Sequence, residues 1–309
     1  MHKQASQWLI VPVAFMLVLL FLGGPLENSH PVFRQIWNSG HFFLFSGLIY
    51  LLCRLPRAKQ RKPITLLFLV VAFSLGFGLL TEFIQLFIGR SFALSDIHKD
   101  LLGGLVGFCL AMISRLHTLP QNLGLIGFSV LFTFFGLSSL FVALYQEWRI
   151  YQSVPVLADF EQPGEKSRWQ YSNVEFAIVP NHASNHLNAL QVTFQPANYP
   201  TINLTHFYRD WRAFNALEFD AFNPSTTSVA MVVKIFDEQH VAHRFDFNDR
   251  FNREIILPPG NNTVSISLHE IQHSPATRVM DLGNIESLSF FMTNVKVPKT
   301  IYLDHIRLE

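Results

Sequence analysis

FSLGFGLLTEFIQLFIGRSFALSDIHKDLLGGLVG, residues 73–107, is the stretch on which the fold turns. It reads as the end of one hydrophobic helix, a short polar turn and the start of a second helix. The turn and its flanks hold Glu82, Gln85, Arg90, Asp96 and Asp100. A carboxylate on a membrane-embedded helix costs roughly 2.5–3.5 kcal/mol on insertion scales, so it persists only with a partner or a task.

Outward from this stretch, the first half of the chain is a series of apolar runs: residues 8–24, 37–55, 64–88, 101–116 and 122–145. Most approach the roughly 20 residues needed to cross the hydrocarbon core, and about five spans are expected. Residues 8–24 have only a weak positive flank and no small-x-small cleavage site, so they read as an uncleaved helix. Arg54, Arg57, Lys59, Arg61 and Lys62 form the densest basic cluster, which places their loop in the cytoplasm with the N-terminus and the Arg115–His117 loop. The turn around Arg90 and Asp96, and everything after Tyr145, then lies outside.

In this topology His41 heads the second span, Glu82 and Gln85 close the third, and Asp96 and Asp100 open the fourth, all at the non-cytoplasmic end. Glu82 and Gln85 are three apart and Asp96 and Asp100 four apart, so each pair shares a helix face. A convergent, outward-facing polar pocket is expected. Its functional reading is a catalytic or substrate-binding site for a head group; its structural reading is a buried ion pair that fixes helix register. His41, Glu82 and Asp96 are the catalytic candidates, with His41 as a general base near neutral pH. Gln85, Arg90 and Asp100 are the binding candidates. A His-plus-carboxylate metal site is conceivable, although there is no HExxH or paired-His spacing. His98 and Lys99 read as a solvated turn. Gly103 and Gly107 have a small-xxx-small spacing that allows close helix approach, within the bundle or in a helix-packing oligomer.

The chain is half hydrophobic and 15% charged with a formal charge of +1, so it has no nucleic-acid footprint. Its two cysteines, Cys53 and Cys109, lie in the apolar half and read as small hydrophobes. From about Val156 the pattern changes to period two. Leu217, Phe219 and Ala221 alternate with Glu218, Asp220 and Phe222, and SVAMVVKIFDE, NTVSISLHEI, NALQVTFQP, TINLTHF, SLSFFMTN and TIYLDHIRL read as strands. Such short strands, separated by turns such as Asn223-Pro224 and Pro258-Pro259-Gly260, predict an all-β antiparallel sandwich. The expected organisation is therefore multidomain: an α-helical transmembrane bundle over 1–150 and a β-sandwich over 151–309, with 146–155 as a short tether.

In the sandwich, Trp169, Tyr171, Tyr199, Tyr208 and Trp211 are the candidates for stacking on sugar rings, the two tryptophans reading also as core plugs. Asp159, Glu161 and Asp304 could supply oxygen ligands to a structural Ca²⁺ if the first and last strands pair, and otherwise read as ordinary turn and edge carboxylates. No other cofactor is expected.

Glu82-x-x-Gln85, Arg90, Ser95-Asp96, Gly103 and Gly107, with His41 at the head of its span, resemble the VanZ-like family of small polytopic bacterial membrane proteins. The likeness covers residues 8–116. The family commonly has Asp and Lys where this chain has Trp37 and Asn38, and Asn where it has Asp100. Residues 210–220 (DWRAFNALEFD), 257–264 (LPPGNNTV) and 302–308 (YLDHIRL) resemble a galactose-binding-like jelly roll of the carbohydrate-binding-module kind. Together the resemblances imply a multi-pass protein of the cytoplasmic membrane with an exported sandwich. It would bind envelope glycan or a lipid-linked saccharide head group, with membrane lipid as a partner. The alternative they imply is a membrane-embedded hydrolase or transferase acting on a polar lipid or lipid-linked glycan.

Overall fold

The computed structural model describes residues 18, 24, 30–87, 92–116, 118–162, 164–184, 186–242 and 245–309. It divides into two compact units, Met1–Glu147 and Trp148–Glu309. The expected first span and Arg90 lie outside the described residues, apart from Val18 and Gly24.

The first unit is helical: α1 Pro31–Asn38, α2 Gly40–Cys53, α3 Pro63–Phe87, α4 Leu94–Ile113, α5 Leu119–Gly136 and α6 Ser138–Ser153. Proline opens α1 and lies in the first turn of α5, where its missing N–H costs nothing. Among the described residues three segments are long and apolar enough to cross a membrane: Pro31–Cys53, Pro63–Phe87 and Leu119–Gly136. The expected count of five is thus not reproduced. Helix α4 has Asp96, Lys99 and Asp100 in its first two turns, and the expected 122–145 span is divided at Leu137.

Helix α4 is the hub of this unit. It packs against α2, α3 and α5, whereas α2 and α3 meet only marginally. Two glycines permit the α2–α4 approach: a Cβ on Gly103 would strike the Phe42 carbonyl, and one on Gly107 the Ser46 carbonyl. The Ser46 hydroxyl also donates to the Gly103 carbonyl at 2.9 Å. The Gly103/Gly107 face is therefore filled from within the bundle, the first of the two uses expected of that spacing. Around this hub, α3 turns Phe68, Phe83 and Phe87 outward and α5 turns out Leu119, Val130 and Phe134, an apolar exterior suited to lipid. The stretch 146–155, expected as a short tether, is mostly helical, since α6 runs to Ser153.

The second unit is a sandwich of antiparallel sheets. Its strands are β1 Val156–Ala158, β2 Trp169–Ser172, β3 Val174–Val179, β4 Ala189–Phe194, β5 Thr201–Leu204, β6 Ala216–Asn223, β7 Val229–Asp237, β8 Phe251–Leu257, β9 Gly260–Ser267, β10 Ile285–Phe291 and β11 Lys299–Leu308. One sheet runs β3-β4-β11-β6-β9, with β1 also pairing β11; the other runs β2-β5-β10-β7-β8. First and last strands do pair, through Val156↔Arg307. The alternation along β6 holds: Leu217, Phe219 and Ala221 are buried and their neighbours half-exposed. With Ile202, Val233, Leu288, Phe290 and Leu303 they form one continuous core between the sheets.

Candidate functional site

Two places gather chemistry, one in each unit. In the helical unit, Ser39 ends α1: its hydroxyl and its N–H both bond the Gln35 carbonyl, at 2.7 and 3.0 Å. That break puts His41 in the first turn of α2. Helix α3 brings Glu82 and Gln85 on its last turns, and α4 brings Asp96, Lys99 and Asp100 on its first. All six side chains are buried. Three helices thus deliver polar groups to one end of the bundle. Lys99 is not in a solvated turn, in contrast to the sequence reading, while His98 is exposed.

The geometry is specific. His41 Nδ1 lies 3.0 Å from Asp100 Oδ1, and His41 Nε2 lies 3.7 Å from Asp96 Oδ2. Lys99 Nζ donates to Asp96 Oδ1 at 3.1 Å, and the Ala93 N–H donates to Glu82 Oε2 at 2.8 Å. Gly78 makes room for Asp100, since a Cβ there would come within 2.7 Å of Asp100 Oδ2. At the opposite end of the bundle, Arg115 Nη2 donates to the Lys59 and Arg61 carbonyls at 2.9 and 3.1 Å, which ties the basic loop to the end of α4.

In the sandwich, a groove of about 590 Å³ lies on the outer face of the five-stranded sheet. Its strand residues, Thr201, Val232, Lys234, Asn252, Glu254 and Phe291, are the outward members of their strands' alternation. Tyr199 and Phe247 also line it and are 66% and 65% exposed, enough to offer a ring face to a ligand. Thr293 and Arg250 complete the lining, the Arg250 guanidinium 5.0 Å from the centre of the Phe247 ring. Burial, with Arg250 adding to it, pulls the Lys234 ammonium down to about 8.

Of the five aromatic candidates, Tyr199 alone lines this groove. Trp169 and Trp211 are core side chains, Trp211 wholly enclosed with its indole N–H on the Tyr208 carbonyl at 2.9 Å, so neither can stack on a sugar. Tyr208 is half-buried against the core, and Tyr171 is exposed but lies edge-on to Phe176, 5.0 Å away. Phe247, Phe291, Lys234 and Arg250 were missed because only Trp and Tyr were weighed for stacking. The parity of β7 and β10 could have pointed to Lys234 and Phe291.

The expected Ca²⁺ ligands do not converge among the described residues. Glu161 accepts from the Leu187 and Asn188 N–H groups at 2.8 and 2.6 Å and from the Asn188 side chain at 2.9 Å. Asp304 accepts from Ser184 N–H at 2.7 Å and from its own strand neighbour His305 N–H at 2.7 Å. These carboxylates are spent on loop geometry, and Asp159 accepts the Glu161 N–H at 3.3 Å beside the Glu165 carboxyl.

A buried ionic cluster in an apolar bundle, joined to an antiparallel sandwich, defines a multi-pass membrane protein with an appended β-domain. Residues 2–115 match the family described as VanZ/LLP1, so that stretch of the helical unit is VanZ-like. No characterised protein matches the chain by sequence. By structure, half of the chain is similar to an exo-beta-agarase at 19% identity and TM-score 0.40, covering 24% of that enzyme. It is similar to the family 11 carbohydrate-binding module of Clostridium thermocellum, solved with a beta-1,3-1,4-mixed-linked tetrasaccharide, at 17% identity and TM-score 0.40, covering 50% of this chain and 94% of that one. A third likeness is to a non-crystalline cellulose specific module, CBM28, at 16% identity and TM-score 0.37, covering 50% of this chain and 93% of that one. The chain spans about a quarter of the agarase's length.

Proposed function

We propose that this protein binds an envelope glycan bearing acidic groups, through the outer groove of the sandwich, and that the bundle anchors it in the cytoplasmic membrane. The observation that carries the reading is the groove's chemistry. Tyr199 and Phe247 offer exposed rings, and Lys234 and Arg250 outnumber the single carboxylate, Glu254. Rings of this kind pack against the C–H faces of sugars, and a guanidinium grips carboxylate or sulfate groups in bidentate fashion. The basic loop at the far end of the bundle supports a cytoplasmic placement of that end, with the polar cluster and the sandwich on the outer side.

Titration of the full chain in detergent with a panel of neutral and acidic oligosaccharides tests this. Acidic sugars should bind, and Tyr199→Ala or Lys234→Ala should weaken them at least tenfold. Affinity should fall between pH 7 and pH 9 as the Lys234 ammonium, held at about 8, loses its charge. Silence across the panel, or tight binding that ignores both substitutions, overturns the reading.

A second reading is favoured by one contact, the His41 Nδ1–Asp100 Oδ1 pair at 3.0 Å. A carboxylate that orients an imidazole prepares it as a base, so the bundle would act as a hydrolase or transferase on a polar lipid or lipid-linked glycan. Glu82 or Asp96 would orient the acceptor and Arg90 would neutralise a phosphate. Glu82→Gln and Asp96→Asn should then abolish turnover of a lipid-linked substrate in membranes that retain folded protein. If both variants keep turnover, this second reading fails.

A further inference from the structure

At the end of the bundle two side chains of the cluster each hold one polar atom in a structural bond and leave the other without a partner among the described residues, and a third turns its second oxygen towards them. His41 commits Nδ1 to Asp100 and leaves Nε2; Glu82 commits Oε2 to the Ala93 N–H and leaves Oε1; Asp96 commits Oδ1 to Lys99 and turns Oδ2 towards His41 Nε2. Among the described residues, His41 Nε2 and Glu82 Oε1 are buried with no hydrogen-bond partner, on side chains only 4% and 0% exposed. In the tautomer that donates Nδ1–H to Asp100, Nε2 is a lone pair, so three acceptors face one another with no donor between them among the described residues. An unmet buried acceptor costs about 1–3 kcal/mol, and more if charged.

Charge points the same way. Glu82, Asp96 and Asp100 are buried beside one ammonium, Lys99, so two negative charges are unmatched among the described residues when His41 is neutral. One cation with two positive charges satisfies both deficits. From His41, Glu82 and Asp96, one ligand atom each lies within 4.8 Å of the others. Tetrahedral ligands about 2.1 Å from a zinc ion are roughly 3.4 Å apart, close to the 3.7 Å between His41 Nε2 and Asp96 Oδ2.

We infer that His41, Glu82 and Asp96 hold a divalent transition-metal cation of the zinc or manganese class, with Asp100 as the outer carboxylate that fixes the His41 tautomer. An imidazole nitrogen among the ligands disfavours Mg²⁺ and Ca²⁺, which take oxygen. A metal-bound histidine is usually oriented by such a carboxylate on its other ring nitrogen, as Asp100 stands to His41. Three protein ligands leave a coordination position open, as in zinc sites that activate water or a carbonyl. With the cation bound, His41 is a ligand and not a base, which sets this inference against the second functional reading and apart from the glycan groove.

The test is metal analysis of the full chain, purified in detergent through a tag without histidines. Wild-type protein should contain close to one equivalent of zinc, manganese or iron per chain. After chelation and addition of Co²⁺ it should develop visible d–d absorption. His41→Gln and Glu82→Gln should each lower the content at least tenfold while retaining the helical circular dichroism of the wild type. Should either fail to fold, Asp100→Asn serves instead, with affinity for Co²⁺ expected to fall about 10- to 100-fold. Lys99→Met, which removes the competing cation from Asp96, should tighten Co²⁺ binding. Protein that holds less than a tenth of an equivalent and gives no Co²⁺ band overturns the inference, as does metal that persists unchanged in the His41 and Glu82 variants. Glycan titration of the same preparations separates this failure from that of the groove.

Discussion

Glu165 is a carboxylate that folding opposes. It is buried in the sandwich, where its Oε2 accepts the Phe160 N–H at 2.5 Å and Arg168 stands 3.7 Å from Oε1. Burial pushes its carboxyl up to about 7 from an ordinary 4.5, with Arg168 pulling back and Asp159 adding to the rise. The folded state therefore binds a proton that the unfolded state releases. Stability from this group is full below about pH 4.5 and is lost as pH rises through about 7. The upper bound is about 3 kcal/mol, worth some 5–10 °C in a domain of this size. Glu165→Gln keeps an oxygen for Phe160 and removes the titration. The variant should melt higher than wild type at pH 8 and equal to it at pH 5, read from the β-sheet signal of the full chain. Equal melting at both pH values would show that the carboxylate is solvated. At this same scale the polar residues of residues 73–107 were legible, because an ionisable group in an apolar run has few tolerable positions. Lys99 was misread because it stands in a polar turn, and only the packing of α4 reveals that Asp96 holds it inside. The roles of Trp169 and Trp211 stayed open because both flank strands, where a ring can face the core or the solvent.

Among the elements, the excursion between β7 and β8 supplies two of the groove's residues, Phe247 and Arg250, and one arginine clamps both its ends. Arg278 donates to Asp237 at the end of β7 at 2.5 and 2.7 Å, and to Asp249 before β8 at 2.5 and 2.9 Å. These pairs hold the Arg278 guanidinium above its usual range and, despite burial, the Asp237 carboxyl below its own. A lysine cannot span two carboxylates in this planar fashion. Arg278→Lys should therefore loosen residues 238–250 and weaken saccharide binding several-fold, with faster amide exchange confined to that excursion. Exchange that rises throughout both sheets would instead assign Arg278 to the core. Sequence reading found β4, β5, β6, β7, β9, β10 and β11, and missed β1, β2, β3 and β8. β1 and β2 are only three and four residues long, and β8 carries Arg253 and Glu254 in succession, which breaks the period of two. Leu268–Gln272, read as the end of a strand, forms a short helix instead. Helix α4 reversed its expected importance: the shortest of the anticipated spans is the one that the others pack around.

For the molecule as a whole, charge is divided between the two ends of the bundle. The chain passes from the basic loop up α3 to the buried acidic cluster, down α4 to Arg115, and up α5 again before the sandwich begins. Arg54, Arg57, Lys59, Arg61 and Lys62 set the orientation if they stay in the cytoplasm. Three crossings between residue 60 and the sandwich then put the sandwich outside. Helix α4 decides that count, since its first two turns carry Asp96, Lys99 and Asp100. If it did not traverse the bilayer, the number of crossings would be even and both positions would face the same side. The native cysteines give a clean background for the measurement, since Cys53 and Cys109 are 2% and 4% exposed. Gln60 and Lys296 are both exposed, and a cysteine at either should react readily. A membrane-impermeant maleimide applied to spheroplasts should label Lys296→Cys at once and Gln60→Cys only after lysis. The reverse pattern would invert the orientation and place the polar cluster at the cytoplasmic face. Labelling of both from one side would mean that α4 does not cross, because no odd number of traverses would then separate the basic loop from the sandwich.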